Sequence, residues 1–169
     1  MYEFINGKFK FLPKTKKVFS ENRIDEQYSL DNGDQLLVSR NVGLWYLKKD
    51  RTVVKAKSKN IDDYVIKNEA YAEGQKLRDG SIAITTTKGG VVFIDKKLTI
   101  KDILNSNNGL EDNHATSLLQ DRSGDIWGSN FGLFRVSFDS TTTYFSEINN
   151  LKGGVQDILR NNGKLFVKT

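Results

Sequence analysis

The chain contains no cysteine, which excludes disulfide bonds, thiolate nucleophiles and cysteine-based metal sites. A single histidine, His114, is too few for a multi-histidine metal site within one chain. No apolar run approaches the ~20 residues that a membrane-spanning helix needs. Met1 to Phe4 lack the basic and apolar regions of an export signal. We therefore expect no metal, no cofactor and no membrane segment; if the natural protein is exported, this chain is a piece of it.

Proline is as scarce as histidine, with one residue among 169, whereas glycine occurs 14 times. The composition, 37% hydrophobic and 28% charged, is that of a folded globular protein rather than a linker. Aromatic residues (11%) and frequent Val, Ile and Thr favour strands. The net charge is +5, but the basic residues are scattered and no nucleic-acid-reading motif accompanies them. We therefore expect no nucleic-acid partner.

Glycine-centred turns recur along the chain, at 31–34, 78–81, 122–125 and 161–164. Their glycines, which lie 47, 44 and 39 residues apart, are Gly33, Gly80, Gly124 and Gly163. A second glycine follows the first three turns after 10, 10 and 8 residues, and these are Gly43, Gly90 and Gly132. Hairpin turns of this kind need a positive φ, which glycine adopts at little cost. The repetition predicts one structural unit used several times.

Each turn lies between short strand patterns. Predicted first strands precede the turns at 26–30, 115–119 and 155–159, and second strands follow them at 35–39, 82–86, 126–127 and 165–167. Third strands follow at 43–47, 90–94 and 132–136, and more polar fourth strands at 52–55 and 142–145. Four short strands in about 40–45 residues are the period of a β-propeller blade. An ordinary all-β sandwich is the alternative. The best helix candidate, Ile100 to Asn105, reads equally well as a turn.

The pattern predicts a single all-β chain of propeller blades with four antiparallel strands each. Three complete blades cover 26–66, 67–112 and 113–151, between half blades at 1–25 and 152–169. Pairing of the halves would satisfy their open strand edges. Three solutions remain open: a segment of a longer propeller, a four-bladed ring within one chain, or an eight-bladed ring of two chains.

Residues 109–136 carry the most specific motif. The segment contains Gly109, Leu110, Asn113, Leu118 or Leu119, Asp121, Gly124, Ile126, Trp127, Gly128, Gly132, Leu133 and Arg135. It resembles the two-component regulator propeller repeat, whose pattern is roughly G-L-x-x-N-x-V-x-x-(I/L)-x-x-D-x-x-G-x-(I/L)-W-x-G-T-x-x-G-L-x-R. Two positions differ, since Gly128 follows Trp127 directly and Ala115 stands where the family has valine.

In that family, propellers resemble extracytoplasmic sensor regions of bacterial hybrid two-component systems, many of which sense glycans. The resemblance implies a periplasmic, non-catalytic input domain that binds a ligand and passes a signal on. The kinase, membrane and DNA-binding regions of such systems are absent from these residues. Two other functions stay open, a protein-interaction propeller and a propeller lyase or hydrolase, although no nucleophile motif appears.

In propellers, the loops that enter first strands and those that join second to third strands gather on one face. Here those loops are 60–63, 109–114 and 151–154, with 40–41, 87–89 and 130–131. Loops on a rigid scaffold are where binding residues concentrate. The predicted ligand site comprises Arg40, Asn41, Lys88, Asn113, His114, Asn130 and Phe131. Amide and cationic donors beside one aromatic ring suit a hydroxylated or anionic ligand. We expect Trp127 to lie in the core, and Asp121 and Asp125 to cap a turn rather than bind calcium.

Overall fold

The computed structural model describes residues 1–71, 73–137, 157–161 and 164–168. In this part of the chain, antiparallel strands dominate. They are accompanied by a 3-10 turn, Pro13–Thr15, and two helices, α1 (Lys16–Phe19) and α2 (Lys59–Lys67). The chain divides into two compact units, Met1–Phe138 and Asp139–Thr169, which we describe separately.

The first unit contains one hairpin and three larger sheets. The hairpin pairs β1 (Tyr2–Ile5) with β2 (Lys8–Phe11). The first sheet runs β3 (Glu26–Ser29), β4 (Gln35–Ser39), β5 (Gly43–Leu47) and β6 (Val53–Lys55). The second runs β7 (Gln75–Lys76), β8 (Ile82–Thr85), β9 (Val91–Ile94) and β10 (Ile100–Leu104). The third runs β11 (Ser117–Gln120), β12 (Ile126–Ser129) and β13 (Leu133–Val136). Each sheet is an antiparallel meander whose strands follow one another in chain order.

The described part of the second unit is one antiparallel hairpin, β14 (Asp157–Asn161) with β15 (Lys164–Lys168). Three features predicted from the sequence lie outside the described residues: the strand at 142–145, the loop at 151–154 and the turn glycine Gly163.

One turn joins the first two strands in each of the three sheets. Gly33, Gly80 and Gly124 have φ angles of +80°, +81° and +97°. The N–H group of each glycine donates to the carbonyl oxygen three residues earlier, at 2.9, 2.9 and 3.1 Å. Because these φ values lie in the left-handed region, a residue with a Cβ atom would be strained there. The three sheets thus begin with the same local structure.

The three sheets stack through two apolar clusters. The first cluster joins Tyr28, Leu36, Val38 and Leu44 of the first sheet to Ile82, Ile84, Val92 and Ile94 of the second. The second cluster joins Leu77, Ala83, Val91 and Phe93 to Ala115 and Ile126, with Leu118, Phe134 and Val136 packed against it. The second sheet is therefore buried on both faces, since alternate side chains along a strand point to opposite sides. This succession of three sheets differs from the two layers of a sandwich.

The prediction of a loop at 60–63 was wrong, because these residues lie in α2. Ile61 and Val65 are four residues apart, so they share one helix face, and both are fully buried in the first cluster. Asp62 anchors the helix to the first sheet, since its Oδ1 atom accepts a hydrogen bond from the N–H of Leu44 at 2.7 Å. The helix ends before Ala70, whose N–H donates to the carbonyl oxygen of Val65 at 2.8 Å.

The helix candidate at Ile100 to Asn105 was also wrong, because Ile100–Leu104 forms β10. A bulge lies between Ile100 and Asp102, where the pairing with β9 shifts by one residue. Ile100 and Ile103 consequently both pack against the first cluster although they are three residues apart. A bulge inserts one extra residue into one strand of a pair. In β10 this extra residue leaves two buried-face isoleucines three positions apart, which is a spacing typical of a helix.

Because the sheets stack, we expect leucine-to-alanine substitutions at two positions to differ greatly in their effect on the free energy of unfolding. We expect Leu36→Ala to lower the free energy of unfolding by about 2–5 kcal/mol, because it leaves a cavity in the first cluster. Leu133→Ala is the matched control, since Leu133 also lies in a strand but is 72% exposed. Its effect should stay within about 0.5 kcal/mol in urea-induced unfolding. Equal effects of the two substitutions would contradict the proposed core.

Candidate functional site

Loops from all three sheets meet at one end of the first unit. Arg40 directly follows β4, and Tyr71 lies between α2 and β7. His114 lies between β10 and β11, and Phe131 lies in the loop between β12 and β13. In an antiparallel meander, the connection into the first strand and the loop after the second strand lie at the same end. The fold therefore places these four residues on neighbouring loops.

Their side chains form a continuous row of planar groups, which we call the ring row (Arg40, Tyr71, His114 and Phe131). The Cζ atom of Arg40 lies 5.3 Å from the centre of the Tyr71 ring. The Tyr71 and His114 ring centres are 6.1 Å apart, and those of His114 and Phe131 are 5.4 Å apart. Phe131 is 85% exposed, whereas the other three are half-buried. One end of the row is thus open to solvent.

A buried carboxylate holds the first member of the row. The Asp25 side chain is fully buried and accepts hydrogen bonds from Arg40, at 2.9 Å from Nε and 2.8 Å from the backbone N–H. Arg23 adds a second cation, with its Nε atom 3.3 Å from the same carboxylate. The Nη2 atom of Arg40 also lies 2.7 Å from Oδ1 of Asp25, so two guanidinium nitrogens contact this carboxylate while the group lies over the ring of Tyr71.

A second ion pair lies near the same end. Lys88 pairs with Glu69, and the Thr87 hydroxyl lies 3.2 Å from the same carboxylate. The hydrogen bond from Lys88 lowers the pKa of Glu69, with smaller contributions from Thr87 and from the charge of Arg40. Glu69 precedes Tyr71 by two residues, and both backbones pair with residues 85–87, since the N–H of Thr87 donates to the carbonyl oxygen of Glu69 and the N–H of Tyr71 to that of Thr85, each at 3.0 Å. The Lys88 pair therefore lies near the ring row.

Glu26, the first residue of β3, is a buried carboxyl group beneath the row. Its residue is 5% exposed, and its side chain contacts the hydroxyl groups of Tyr28 and Thr85. Burial holds the pKa of Glu26 well above its ordinary value, and the neighbouring Asp25 raises that pKa further, while hydrogen bonds from Thr85 and Gly74 oppose the shift. Both acidic residues line a cavity of about 420 Å³, together with Gln27, Tyr28, Glu73, Gly74, Gln75 and Leu118.

The remaining predicted site residues shape the loops. Asn113 accepts two backbone hydrogen bonds at 2.7 Å, one on its carbonyl oxygen from Gly90 and one on its Oδ1 atom from Ser106. The Oδ1 atom of Asn130 accepts from the N–H of Gly132 at 2.7 Å. Asn41 is exposed, and its backbone N–H donates to Ser39 at 3.3 Å. Of the seven predicted residues, Arg40, His114 and Phe131 thus form the row and Lys88 lies near it.

Sequence reasoning missed Tyr71, Asp25, Glu26 and Glu69. Tyr71 lies in the connection between α2 and β7, where the loop was predicted ten residues too early, at 60–63. An aromatic residue in that connection was the available signal. The strand that follows it, β7, has only two residues, so no apolar alternation marks where the connection ends.

Asp121 caps the turn of the third sheet. Its Oδ1 atom accepts from the N–H groups of Ser123 and Asp125 at 2.8 and 3.2 Å, and its Oδ2 atom accepts from the Trp127 indole at 2.8 Å. The Trp127 hydrogen bond is the main cause of the lowered pKa of Asp121. Trp127 is half-buried and lies on the face of β12 opposite to Ile126, which enters the second cluster. The turn-capping prediction thus holds for Asp121, whereas the Asp125 side chain instead pairs with Arg135, whose Nε atom lies 2.9 Å from its Oδ2 atom. The expectation that Trp127 lies in the core was wrong, because it is half-buried on the face of β12 that points away from the second cluster.

Within 1–71, 73–137, 157–161 and 164–168, no group of three or more acidic or histidine side chains is arranged to hold a metal ion. Across the same ranges, no helix is both long enough and apolar enough to cross a membrane.

No protein-family model matches the chain, and no curated protein matches it. Among solved structures, it is similar to the extracellular domain of BT4673 from B. thetaiotaomicron, described as a one component system. The TM-score is 0.56 at 17% identity, over 86% of this chain and 22% of that chain. It is also similar to the extracellular domain of BT3049 from the same bacterium, described as a hybrid two component system. That TM-score is 0.54 at 19% identity, over 97% of this chain and 21% of that chain.

These similarities concern the fold, because the identities are low. The chain spans about a fifth of the length of either extracellular domain.

The buried carboxylate gives a prediction for stability. We expect Asp25→Ala to lower the free energy of unfolding by about 3 kcal/mol, because it leaves the half-buried Arg40 without its partner. Asp31→Ala is the control, since Asp31 pairs with Lys76 and Lys96 but its side chain is 66% exposed. It should change little in the same urea titration, because exposed ion pairs contribute little. A comparable loss in both variants would argue against a structural role for Asp25.

Proposed function

We propose that this chain is part of a non-catalytic sensor region in the bacterial periplasm that binds a glycan at the ring row. The main support is the row itself, in which loops of three sheets bring Arg40, Tyr71, His114 and Phe131 into contact. The fold similarity to extracellular domains described as parts of one component and hybrid two component systems is consistent with that role. Signalling would follow when a ligand orders the loops.

We propose further that the three sheets are consecutive propeller blades of the two-component regulator repeat, at 26–66, 67–112 and 113–151, between half blades at 1–25 and 152–169. Three observations support this proposal. The sheets share one turn, they share one strand order, and the second sheet is buried on both faces. Successive blades of a propeller need these properties.

The chemistry of the row suits a sugar. One face of a sugar ring is made of C–H groups, which pack on an aromatic ring, while its hydroxyl groups seek hydrogen-bond donors and acceptors at the edge. Phe131 offers an exposed ring, and the exposed Lys88 offers a cationic donor. His114, between Tyr71 and Phe131, adds an imidazole that donates or accepts. The predicted hydroxylated or anionic ligand is compatible with this set.

Thermal shift with maltotriose, cellotriose, xylotriose and trigalacturonate tests the proposal. A glycan present at about 100 times its Kd stabilises the folded state by about 2.7 kcal/mol, which raises Tm by about 5 °C or more. Phe131→Ala should abolish most of the shift, because it removes the exposed ring. Leu133→Ala should keep the shift, since Leu133 is similarly exposed but lies outside the row.

Two outcomes would contradict this proposal. Absence of a shift with a wide range of glycans, with a specific protein ligand found instead, would favour a protein-interaction propeller. Cleavage of a bound oligosaccharide into shorter products would make the chain a lyase or hydrolase.

The terminal hairpins suggest self-association. One face of the hairpin β1–β2 carries two aromatic pairs, Tyr2 with Phe11 and Phe4 with Phe9, whose ring centres are 5.3 and 5.1 Å apart. Their exposed fractions range from 41% for Phe11 to 74% for Phe9. The hairpin β14–β15 also exposes apolar side chains, and among the described residues each hairpin is a sheet of only two strands. We propose that the hairpin β1–β2 of one copy pairs with the hairpin β14–β15 of a second copy.

Light scattering over a range of protein concentrations tests this pairing. We expect a concentration-dependent dimer for the wild type and a monomer for Phe9→Lys, because a buried unpaired charge opposes association. Val54→Lys is the control, since Val54 is 46% exposed but lies on β6, away from the terminal hairpins. A wild type that stays monomeric at every concentration would rule out pairing between chains.

A further inference from the structure

We propose that a proton on Glu26 fixes the position of Tyr71 and thereby regulates ligand binding at the ring row. The binding consequence rests on the proposed function, whereas the coupling between Glu26 and Tyr71 does not. The inference starts from one hydroxyl group, that of Thr85, which lies between the two residues.

Thr85, at the end of β8, is fully buried and contacts both partners. Its hydroxyl group contacts the carbonyl oxygen of Tyr71 and lies 3.3 Å from Oε1 of Glu26. The N–H group of Tyr71 donates to the carbonyl oxygen of Thr85 at 3.0 Å. Thr85 therefore anchors the backbone of Tyr71 through two hydrogen bonds, one of which uses the hydroxyl group.

Counting hydrogens shows which form of Glu26 fits this arrangement. A threonine hydroxyl has one hydrogen to donate, and an ionised carboxylate only accepts. When Glu26 is ionised, its Oε1 atom competes with the Tyr71 carbonyl oxygen for the hydrogen of Thr85. When Glu26 carries a proton on Oε1, it donates to Thr85, and Thr85 is free to donate to Tyr71. The protonated form therefore satisfies all three groups at once.

The same shortage occurs at the other oxygen of Glu26. The Tyr28 hydroxyl donates to Oε2 and also lies 3.2 Å from the carbonyl oxygen of Ala83. One hydrogen again faces two acceptors. The backbone N–H groups of Thr85 and Gly74 also donate to Glu26, but burial outweighs all of these hydrogen bonds and favours the protonated form.

The charged groups around Glu26 favour the same form. Asp25 directly precedes β3, and Glu73 lines the same cavity from the connection between α2 and β7. Arg40 and Arg23 contact Asp25. Within the described ranges, no lysine or arginine lies within ion-pair distance of Glu26. Burial is the first cause of the raised pKa of this group, and it moves the titration to higher pH.

The consequence at the site follows from the place of Tyr71 in the row. Its ring lies between Arg40 and His114, so a change in its backbone anchor alters two of the three contacts in the row. If a ligand needs the intact row, proton binding at Glu26 and ligand binding favour each other by the same factor, because such coupling is reciprocal.

An NMR titration without ligand tests the coupling itself. Between pH 5 and 9, the backbone amide signals of Tyr71 and Thr85 should move together in one transition. Glu26→Gln should remove that transition, because the glutamine N–H group donates to Thr85 at every pH. Glu73→Gln is the control and should retain the transition, since Glu73 lines the same cavity but is exposed. A transition that persists in Glu26→Gln would overturn the proposal.

Affinity measurements at pH 5.5 and 8.5 extend the test to binding, with the same four trisaccharides as probes. We expect binding to the wild type to be about fivefold tighter or more at the lower pH. Glu26→Gln should bind with the same affinity at both pH values. Thr85→Val should likewise show no difference in affinity between the two pH values. A pH dependence of affinity that survives in Glu26→Gln would count against Glu26.

The outcomes separate the two proposals. Equal wild-type affinity at both pH values would overturn the regulation and leave the glycan site intact. Absence of binding by all four probes, with the NMR transition present and dependent on Glu26, would leave the coupling intact and remove the support for these glycans.

Thermal stability gives a third readout. Because the folded pKa of Glu26 is raised, its stabilising contribution is complete below the unfolded pKa and is lost as pH rises through the folded pKa. Glu26→Gln should therefore gain Tm relative to the wild type as pH rises above 4.5, the ordinary pKa of a glutamate, and not below it. Parallel Tm profiles for the two proteins would contradict a proton held by Glu26.

Discussion

Burial of both faces of the second sheet is the interaction on which the rest of the structure depends. Every residue of β8 and β9 is buried, so neither strand has a face suited to water. Removing either neighbouring sheet would expose several side chains, each of which contributes about 1.5–3 kcal/mol when fully buried. The first and third sheets must therefore pack against the second, and their loops come to one end because all three are meanders.

The elements that local signals define were predictable from the sequence. The ranges 35–39 and 43–47 are strands in the structure with the same limits, because a turn glycine and an apolar run mark each one. Where the signal depends on tertiary structure, prediction failed. The bulge in β10 gave a strand helical spacing. In contrast, α2 was overlooked although Ile61, Tyr64 and Val65 have the spacing of one helix face.

The residues of the candidate site likewise include some that were predictable from the sequence and some that were not. Arg40, His114 and Phe131 were predictable because they lie in loops whose positions follow from the strand order. The role of Glu26 was not, since its partner Thr85 is 59 residues away in sequence. The close approach also needs Gly74, because a Cβ atom at that position would collide with the side chains of Tyr28 and Glu26. This arrangement brings together three segments that are distant in sequence, and no single segment carries a pattern that predicts it.

Asp25 and Glu26 show how one fold gives two adjacent carboxyl groups different tasks. Asp25, directly before β3, meets two arginines, whereas Glu26, the first residue of β3, meets two hydroxyl groups. The cations make Asp25 a fixed anchor for the ring row, whereas the hydroxyl groups, each short of a hydrogen, make Glu26 sensitive to its proton. Placing titratable groups in contrasting surroundings is how proteins separate their roles. The exposed Phe131 and Lys88 take no part in this buried network. They can therefore change position on contact with a ligand without breaking its hydrogen bonds.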